Sequence, residues 1–196
     1  MKVSFLIPAY NEAATIGEVL ERIAGLPLES QVVVVDDGST DETAAIAVRI
    51  AVIQDADMEY DPIEVPDLIE PIVKGHADVV FGSRLRGGKP QRAFLFWHLV
   101  GNRFLSLVTN VLFNTTLSDM ETGYKAFRMD VLRSLKLTED AFGIEPEITG
   151  QVCLRKLRIY ELPISYDGRT HEEGKKITWR DGFRALWVLV RVRVSG

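Results

Sequence analysis

Cysteine is almost absent. Cys153 is the single thiol in 196 residues, which excludes an internal disulfide framework and any zinc site built on several thiolates of one chain. It falls in the apolar-patterned run Ile148 to Leu157, a setting for buried packing. Histidine is scarce too: His76, His98 and His171 cluster neither with one another nor with Cys153. No G-x-G-x-x-G follows the first strand pattern, which counts against a Rossmann dehydrogenase. No apolar run is clean enough to span a bilayer, because the longest, Ala93 to Phe113, carries His98, Asn102, Arg103 and Asn110. Met1 to Ile7 enters a strand directly, without the length or cleavage site of a leader, so a cytoplasmic chain is expected. Positive charge is not in excess. With 23 Lys and Arg against 28 Asp and Glu, the net charge of -5 argues against a general nucleic-acid binder.

What is present is globular composition, 46% apolar and 26% charged. The first 80 residues are acid-rich, while Arg84 to Arg193 holds most of the Arg and Lys, a distribution that suits an anionic ligand or surface. Val3 to Ile7 reads as a strand ended by Pro8, with Asn11 placed to cap a helix. Ile16, Val19, Leu20 and Ile23 then share one helical face. Four consecutive valines, Val32 to Val35, have the pattern of a strand buried on both faces. Asp36-Asp37-Gly38 turns the chain, and Ser39 with Glu42 offers a capping box for a second helix. Strand–helix–strand–helix order predicts right-handed crossovers and a mostly parallel, doubly wound α/β sheet flanked by helices.

One junction resists this scheme. The helix pattern still runs at Val48 to Ile50, yet Ala51 to Gln54 already reads as a strand, and an αβ connection takes about 2 to 6 residues. A segment is therefore expected to be missing between about 48 and 51. Beyond it the pattern predicts a helix over Pro62 to Val73, a buried strand over Ala77 to Gly82, and a helix over Ala93 to Phe113 broken near Gly101-Asn102. Strands follow at Tyr124 to Arg128 and Arg158 to Ile164, with a helix at Ile148 to Leu157 between them. A basic amphipathic helix runs from Trp179 to Val194. Residues 1–178 make one expected domain and 179–196 a separate C-terminal helix.

Three strand ends carry unusual chemistry: Pro8-Ala9-Tyr10-Asn11-Glu12, Asp36-Asp37-Gly38-Ser39 and Asp55-Ala56-Asp57. Ligands of open α/β sheets bind beyond the carboxyl ends of strands. Acidic clusters there repel unless a hard divalent cation relieves them, and Mg²⁺ prefers one or two carboxylates plus substrate phosphates. That is the logic of a nucleoside-diphosphate site. Asp and Gly are also ordinary turn residues, and a lone D-x-D is common by chance; the specificity lies in three clusters, in order, each ending a strand.

The segments IPAYNEAATIGEVL, VVVVDDGSTDET, VIQDADMEYDP, ADVVFGSRLRGG and DMETGYKAFR resemble glycosyltransferase family 2, in its dolichyl- or polyprenyl-phosphate mannosyl- and glucosyltransferase branch. The resemblance implies a GT-A fold, inverting hexosyl transfer and a UDP- or GDP-sugar donor. It implies that Pro8, Tyr10 and Glu12, with Asp36 or Asp37, hold the nucleoside. Asp55 and Asp57 would bind phosphates and a Mg²⁺ or Mn²⁺ ion, with Glu59 as a further metal contact. The family's portion between the second helix and the D-x-D strand is absent, in agreement with the abrupt junction.

By the same resemblance Asp119 faces the acceptor. It could serve as general base toward an alcohol; toward a lipid phosphate, already ionised, Asp119 and Glu121 would position the acceptor or stabilise the oxocarbenium-like centre. Glu147 is a secondary catalytic candidate, with a helix-dipole role as the plainer alternative for Glu145 and Glu147. Arg84 is the implied contact for the acceptor phosphate. Arg128, near a predicted loop end, is a further acceptor- or phosphate-binding candidate, and Arg169 and Lys175, also phosphate-binding candidates, fall in or beside a loop expected to cover the diphosphate. The Phe94-Leu95-Phe96-Trp97 cluster and the basic C-terminal helix suggest contact with the inner face of a membrane, lying on it rather than spanning it. A soluble or polysaccharide acceptor, or a non-catalytic nucleotide-sugar-binding module, are the competing readings.

Overall fold

A computed structural model describes residues 3–27, 30–43, 47, 50–55, 59–93, 95–168 and 179–195, without the side chains of Ser4, Ser30, Gln31, Val33 and Asp36. The chain divides into two compact units, Met1–Arg49 and Ile50–Gly196, each with its own sheet.

In the first unit β1 (Val3–Ala9) pairs in parallel with β2 (Ser30–Asp36), from Val3 opposite Ser30 to Ala9 opposite Asp36. α1 (Ile16–Ala24) makes the crossover, as a βαβ connection requires. The caps differ from the sequence expectation. Asn11 takes a left-handed φ of 54° and its Oδ1 accepts from Thr40 N at 2.8 Å, so α1 starts at Thr15 without a side-chain cap. Ser39 Oγ accepts from Asn11 N instead of capping a second helix, and Asp41 Oδ1 accepts from Thr43 N. Both side chains found a partner across the two loops that beat the local cap. The expected second helix and the junction at 48–49 fall largely outside the described residues.

The second unit contains β3 (Ile50–Ile53), a 3-10 turn at Pro62–Glu64 leading into α2 (Val65–Val73), β4 (Val79–Ser83), α3 (Phe96–Phe113), β5 (Lys125–Arg128) and α4 (Met129–Ser134). α5 (Ile144–Leu154), β6 (Ile159–Pro163) and α6 (Trp179–Ser195) complete it. The sheet order is β3-β5-β4-β6, with β4 parallel to β6 and β5 antiparallel to both its neighbours. The α/β class with flanking helices stands, but this sheet is mixed rather than mostly parallel. β5 is reversed because it enters at the edge where β4 ends, Gly82 N donating to Tyr124 O at 2.8 Å.

Side chains of β4 alternate between two cores, as the two-residue period of a strand demands. Val79 and Phe81 join Phe127, Leu105, Ile148, Val152 and Leu189 on one face. Val80 joins Leu68, Ile72, Ala126 and Ile164 on the other. Both faces are covered, so every residue of β4 is buried, each large apolar side chain contributing about 1.5–3 kcal/mol. Cys153 lies in the first core with its thiol pushed up to about 12 by burial, an inert packing residue as expected.

One expectation is corrected by packing. α3 is one continuous helix through Gly101-Asn102, because Asn102 spends its amide on a neighbouring loop rather than on its own backbone. α6 packs on α3 and α5 and buries Ala185, Val188, Leu189 and Val192. Among the described residues no helix is long and apolar enough to cross a membrane.

Candidate active site

In the first unit, parallel pairing brings the ends of β1 and β2 to one edge, with Asp37 N donating to Ala9 O at 2.9 Å. The loops beyond are laced together, Glu12 N to Thr43 Oγ1 at 2.6 Å and Ala13 N to Asp41 Oδ2 at 3.2 Å. Pro8, Tyr10, Glu12 and Asp37 therefore share an edge, with Tyr10 exposed and the Glu12 carboxylate accepting from Thr15 Oγ1. Asp36 ends β2 at the same level; its side chain lies outside the described residues.

In the second unit, strand directions gather the ends of β3, β4 and β6 and the start of β5 at a single edge. Asp55, Arg84 and Tyr166 follow the three strand ends, and the loop 117–124 leads into β5. Asp119 is the hub. Its carboxylate accepts from Arg84 Nε and Nη2 at 2.7 Å each, Arg84 N at 3.0 Å and Asn102 Nδ2 at 2.8 Å. Those four donors use the lone-pair sites of a carboxylate, and Asp119 is fully buried. Burial raises its pKa, but the Arg84 guanidinium outweighs it and holds the carboxyl below its ordinary value. Burial likewise disfavours charge on Arg84, and Asp119 more than compensates. The Arg84 guanidinium also lies 5.2 Å from the Tyr166 ring centroid, within cation–π range.

Residues 118 and 119 are fixed from below by Glu161, which accepts from Ser118 N at 2.9 Å, Ser118 Oγ at 3.1 Å and Asp119 N at 3.2 Å. Arg86 binds Glu161 from the outside at 3.0 Å. Asp55 approaches the same loop so closely that a Cβ on Gly123 would stand 2.5 Å from its Oδ2. Tyr60 stacks on Tyr124 at 5.3 Å, accepts from Gly123 N at 3.3 Å and is pushed up to about 12, chiefly by burial. Glu121 is the unusual acid of this edge. Burial pushes it up to about 7 against Lys125 and Arg84, and its Oε1 is buried without a hydrogen-bond partner among the described residues.

Two other expected site residues, Glu147 and Arg128, fall elsewhere. Glu147 accepts from Thr138 N at 2.8 Å, Thr138 Oγ1 at 2.7 Å and Glu139 N at 2.9 Å, and pairs with Arg191 at 2.8 Å. Those bonds tie α5 to the preceding loop and to α6, an architectural use. Arg128 ends β5, which runs opposite to β4, so it lies at the far edge of the sheet from Arg84, about 16 Å of strand away. There it pairs with Asp78 at 3.0 Å and Asp130 at 2.6 Å. It does not join Arg84 in one anion site, and its charge is used to pin the start of β4. Glu59 accepts from Tyr166 OH at 2.8 Å. Asp57, Arg169 and Lys175 lie outside the described residues.

Among the described residues no group of three or more His, Cys, Asp or Glu side chains could by itself hold a metal. Asp55 nonetheless suits a hard cation that draws other ligands from phosphate, and Gly123 leaves its carboxylate the room it occupies.

A family model described as Glycosyl transferase family 2 matches residues 4–52. Curated relatives carry the likeness along the rest of the chain. Undecaprenyl-phosphate mannosyltransferase of Micrococcus luteus is 29% identical over 251 aligned positions that take in all of both chains. The chain is similar to glycosyl transferase family 2 proteins, through the family match at residues 4–52 and through relatives below 30% identity. It is also 29% identical to Glycosyltransferase AglJ of Haloferax volcanii over 194 residues, 84% of this chain but only 62% of AglJ, so it spans less than two thirds of that relative. Its fold is GT-A. Glucosyl-3-phosphoglycerate synthase from Mycobacterium tuberculosis, solved with Mn²⁺, UDP and glucosyl-3-phosphoglycerate, superposes with a TM-score of 0.55 over 98% of this chain and 80% of that one, at 19% identity.

Asn102, Tyr166, Glu161 and Tyr60 are the site residues that sequence reasoning missed. Glu161 alone carried a signal, an acid in the otherwise apolar strand pattern of β6. The others became visible only once distant segments met.

Proposed function

We propose that this protein is a family 2 glycosyltransferase that transfers a hexose, with inversion, from a UDP- or GDP-sugar to a polyprenyl-phosphate-type acceptor at a membrane surface. Asp55 and Asp57 would hold the diphosphate through Mg²⁺ or Mn²⁺, which supplies charge neutralisation to the leaving group. Pro8, Tyr10, Glu12, Asp36 and Asp37 would hold the nucleoside, and Arg169 and Lys175 would cover the phosphates.

The observation that carries the acceptor assignment is the state of Asp119. A buried carboxylate with four donors cannot take up a proton readily. An alcohol acceptor would need a base there; a phosphate monoester is already ionised near neutral pH. Arg84, fixed by Asp119, presents the cation such an acceptor needs. The surface agrees. α3 exposes Trp97, Phe104 and Val111, and α6 exposes Trp179, Phe183 and Trp187. These two packed helices hold five Arg against one acid, Asp181, a composition suited to lying on an anionic bilayer.

We also infer that the chain lacks a segment of the family between its second helix and the D-x-D strand. An alignment of 251 positions with the Micrococcus relative, against 196 residues here, supports this.

The decisive assay incubates the protein with UDP- or GDP-hexoses, Mn²⁺ or Mg²⁺ and polyprenyl phosphate in vesicles, beside Asp57→Ala. Glycolipid formation that needs the metal and Asp57 is the expected result. Transfer only to soluble acceptors would overturn the acceptor assignment, and donor binding without turnover would make the chain a nucleotide-sugar-binding module.

A further inference from the structure

α3 has two unlike faces. Trp97, Phe104 and Val111 look outward. On the opposite side Asn102, Ser106 and Asn110, at successive i, i+4 positions, all reach the loop 117–120. Asn110 brackets Leu117, donating from Nδ2 to its O and accepting from its N at 2.8 Å each. Ser106 Oγ accepts from Met120 N at 3.2 Å and donates to Asn102 Oδ1 at 3.3 Å. With Oδ1 so engaged, Asn102 must turn its Nδ2 toward Asp119 Oδ1, the oxygen that also receives Arg84 Nη2.

We propose that Asn102 is a positioning residue for Arg84, acting through Asp119: its amide fixes the rotation of the carboxylate, and the carboxylate fixes the plane of the guanidinium. This role rests on the proposed function of Arg84 as the cation that meets the acceptor phosphate. Remove the Asn102 donor and Asp119 keeps its pair with Arg84 but gains freedom to swing. The guanidinium then presents its remaining N–H groups over a range of directions, and a phosphate must order it at its own expense.

The test uses the full chain and two readouts. The first is ¹⁵N NMR of the Arg84 Nε–H, whose hydrogen exchange reports the Asp119 contact directly. The second is calorimetric binding of farnesyl phosphate, compared with binding of a UDP- or GDP-sugar. Asn102→Ala is expected to speed Arg84 Nε–H exchange and weaken farnesyl phosphate binding, each roughly tenfold for one hydrogen bond to a charged group, with donor affinity unchanged. Asn102→Asp has the same shape but only acceptors, and should weaken farnesyl phosphate binding more than Asn102→Ala; a purely space-filling role predicts the reverse order. Should Asn102→Ala not fold, Asn102→Ser, which keeps a donor, carries the same measurements against Asn102→Asp. Unchanged Arg84 exchange in the variants overturns the proposal. If the wild type itself binds no farnesyl phosphate while the exchange effect is present, the acceptor reading fails and the positioning role stands.

Discussion

The Arg84 guanidinium and the Asp119 carboxylate meet fork to fork, Nε and Nη2 each 2.7 Å from an oxygen, with Asp119 fully buried. Pairing in this geometry fixes direction as well as charge. Thirty-five residues apart in sequence, the two form the rigid centre of the second unit's functional edge.

Removing one partner of such a pair leaves the other charged and buried. Asp119→Ala is expected to cost about 3–5 kcal/mol of stability, read from urea denaturation. Asp119→Asn, which keeps the shape, should cost less and still weaken phosphate binding. A loss below about 1 kcal/mol for the alanine variant would place the pair among weak surface contacts and refute its central role.

Gly123→Ala should act on Asp55. The new methyl would stand 2.5 Å from Asp55 Oδ2, a distance that only a rotation of the Asp55 side chain relieves. We expect a folded protein with a melting temperature near that of the wild type and weaker Mn²⁺-dependent donor binding by calorimetry. Unaltered metal dependence would separate Asp55 from the cation site.

Glu121 gives the protein a pH signature. Its carboxyl is raised from 4.5 to about 7 by burial, so the folded state favours the protonated form. That contribution is complete below pH 4.5 and is lost as pH rises through 7, a decline on the order of 1–3 kcal/mol. Glu121→Gln stays neutral and should flatten this part of the stability curve, becoming more stable than the wild type above pH 7. Parallel curves for the two proteins would sink the assignment.

Arg128→Ala and Arg84→Ala should part ways. Arg128 pins Asp78 at the far edge of the sheet. Asp78 is held well below the usual carboxylate range, mainly by hydrogen bonds from Arg158, with Arg128 adding to them. Arg128→Ala should lower stability by about 0.5–1 kcal/mol and leave transfer intact, whereas Arg84→Ala should raise the acceptor KM sharply. Equal kinetic losses would contradict the separation of the two edges.

Vesicle flotation tests the two-helix surface. A Trp97→Ser, Trp187→Ser double variant should lose most binding to vesicles containing anionic lipid while keeping donor binding, because both indoles stand mostly exposed, at 77% and 58%. Retained flotation would remove α3 and α6 from the interface.

The elements that sequence reading placed best are those whose signal is local. Val79 to Ser83 alternates between two covered faces and reads as a buried strand in any context. The positions of α1, β1 and β2 were equally plain, but their burial was not: of the α1 stripe only Ile16 is buried and Val19 is exposed, and Val32 and Val35 of the strand read as covered on both faces are exposed too. Gly101-Asn102 misled because glycine beside asparagine is a local signal for a break; the structure overrides it with a contact from Asn102 to Asp119, seventeen residues on. Arg128 misled because a basic residue at a strand end does not say which end of the sheet it occupies, and the antiparallel run of β5 decides that.

The amino-acid order alone determined the α/β class, the carboxylates at strand ends and the likeness to glycosyl transferase family 2, since all three are written in short stretches that need no partner. The tertiary structure decided which carboxylate is consumed by an arginine, which is pushed up by burial, and which face of α3 grips a loop while the other meets solvent. Those outcomes depend on burial and on donors contributed from far along the chain, and no local pattern encodes either.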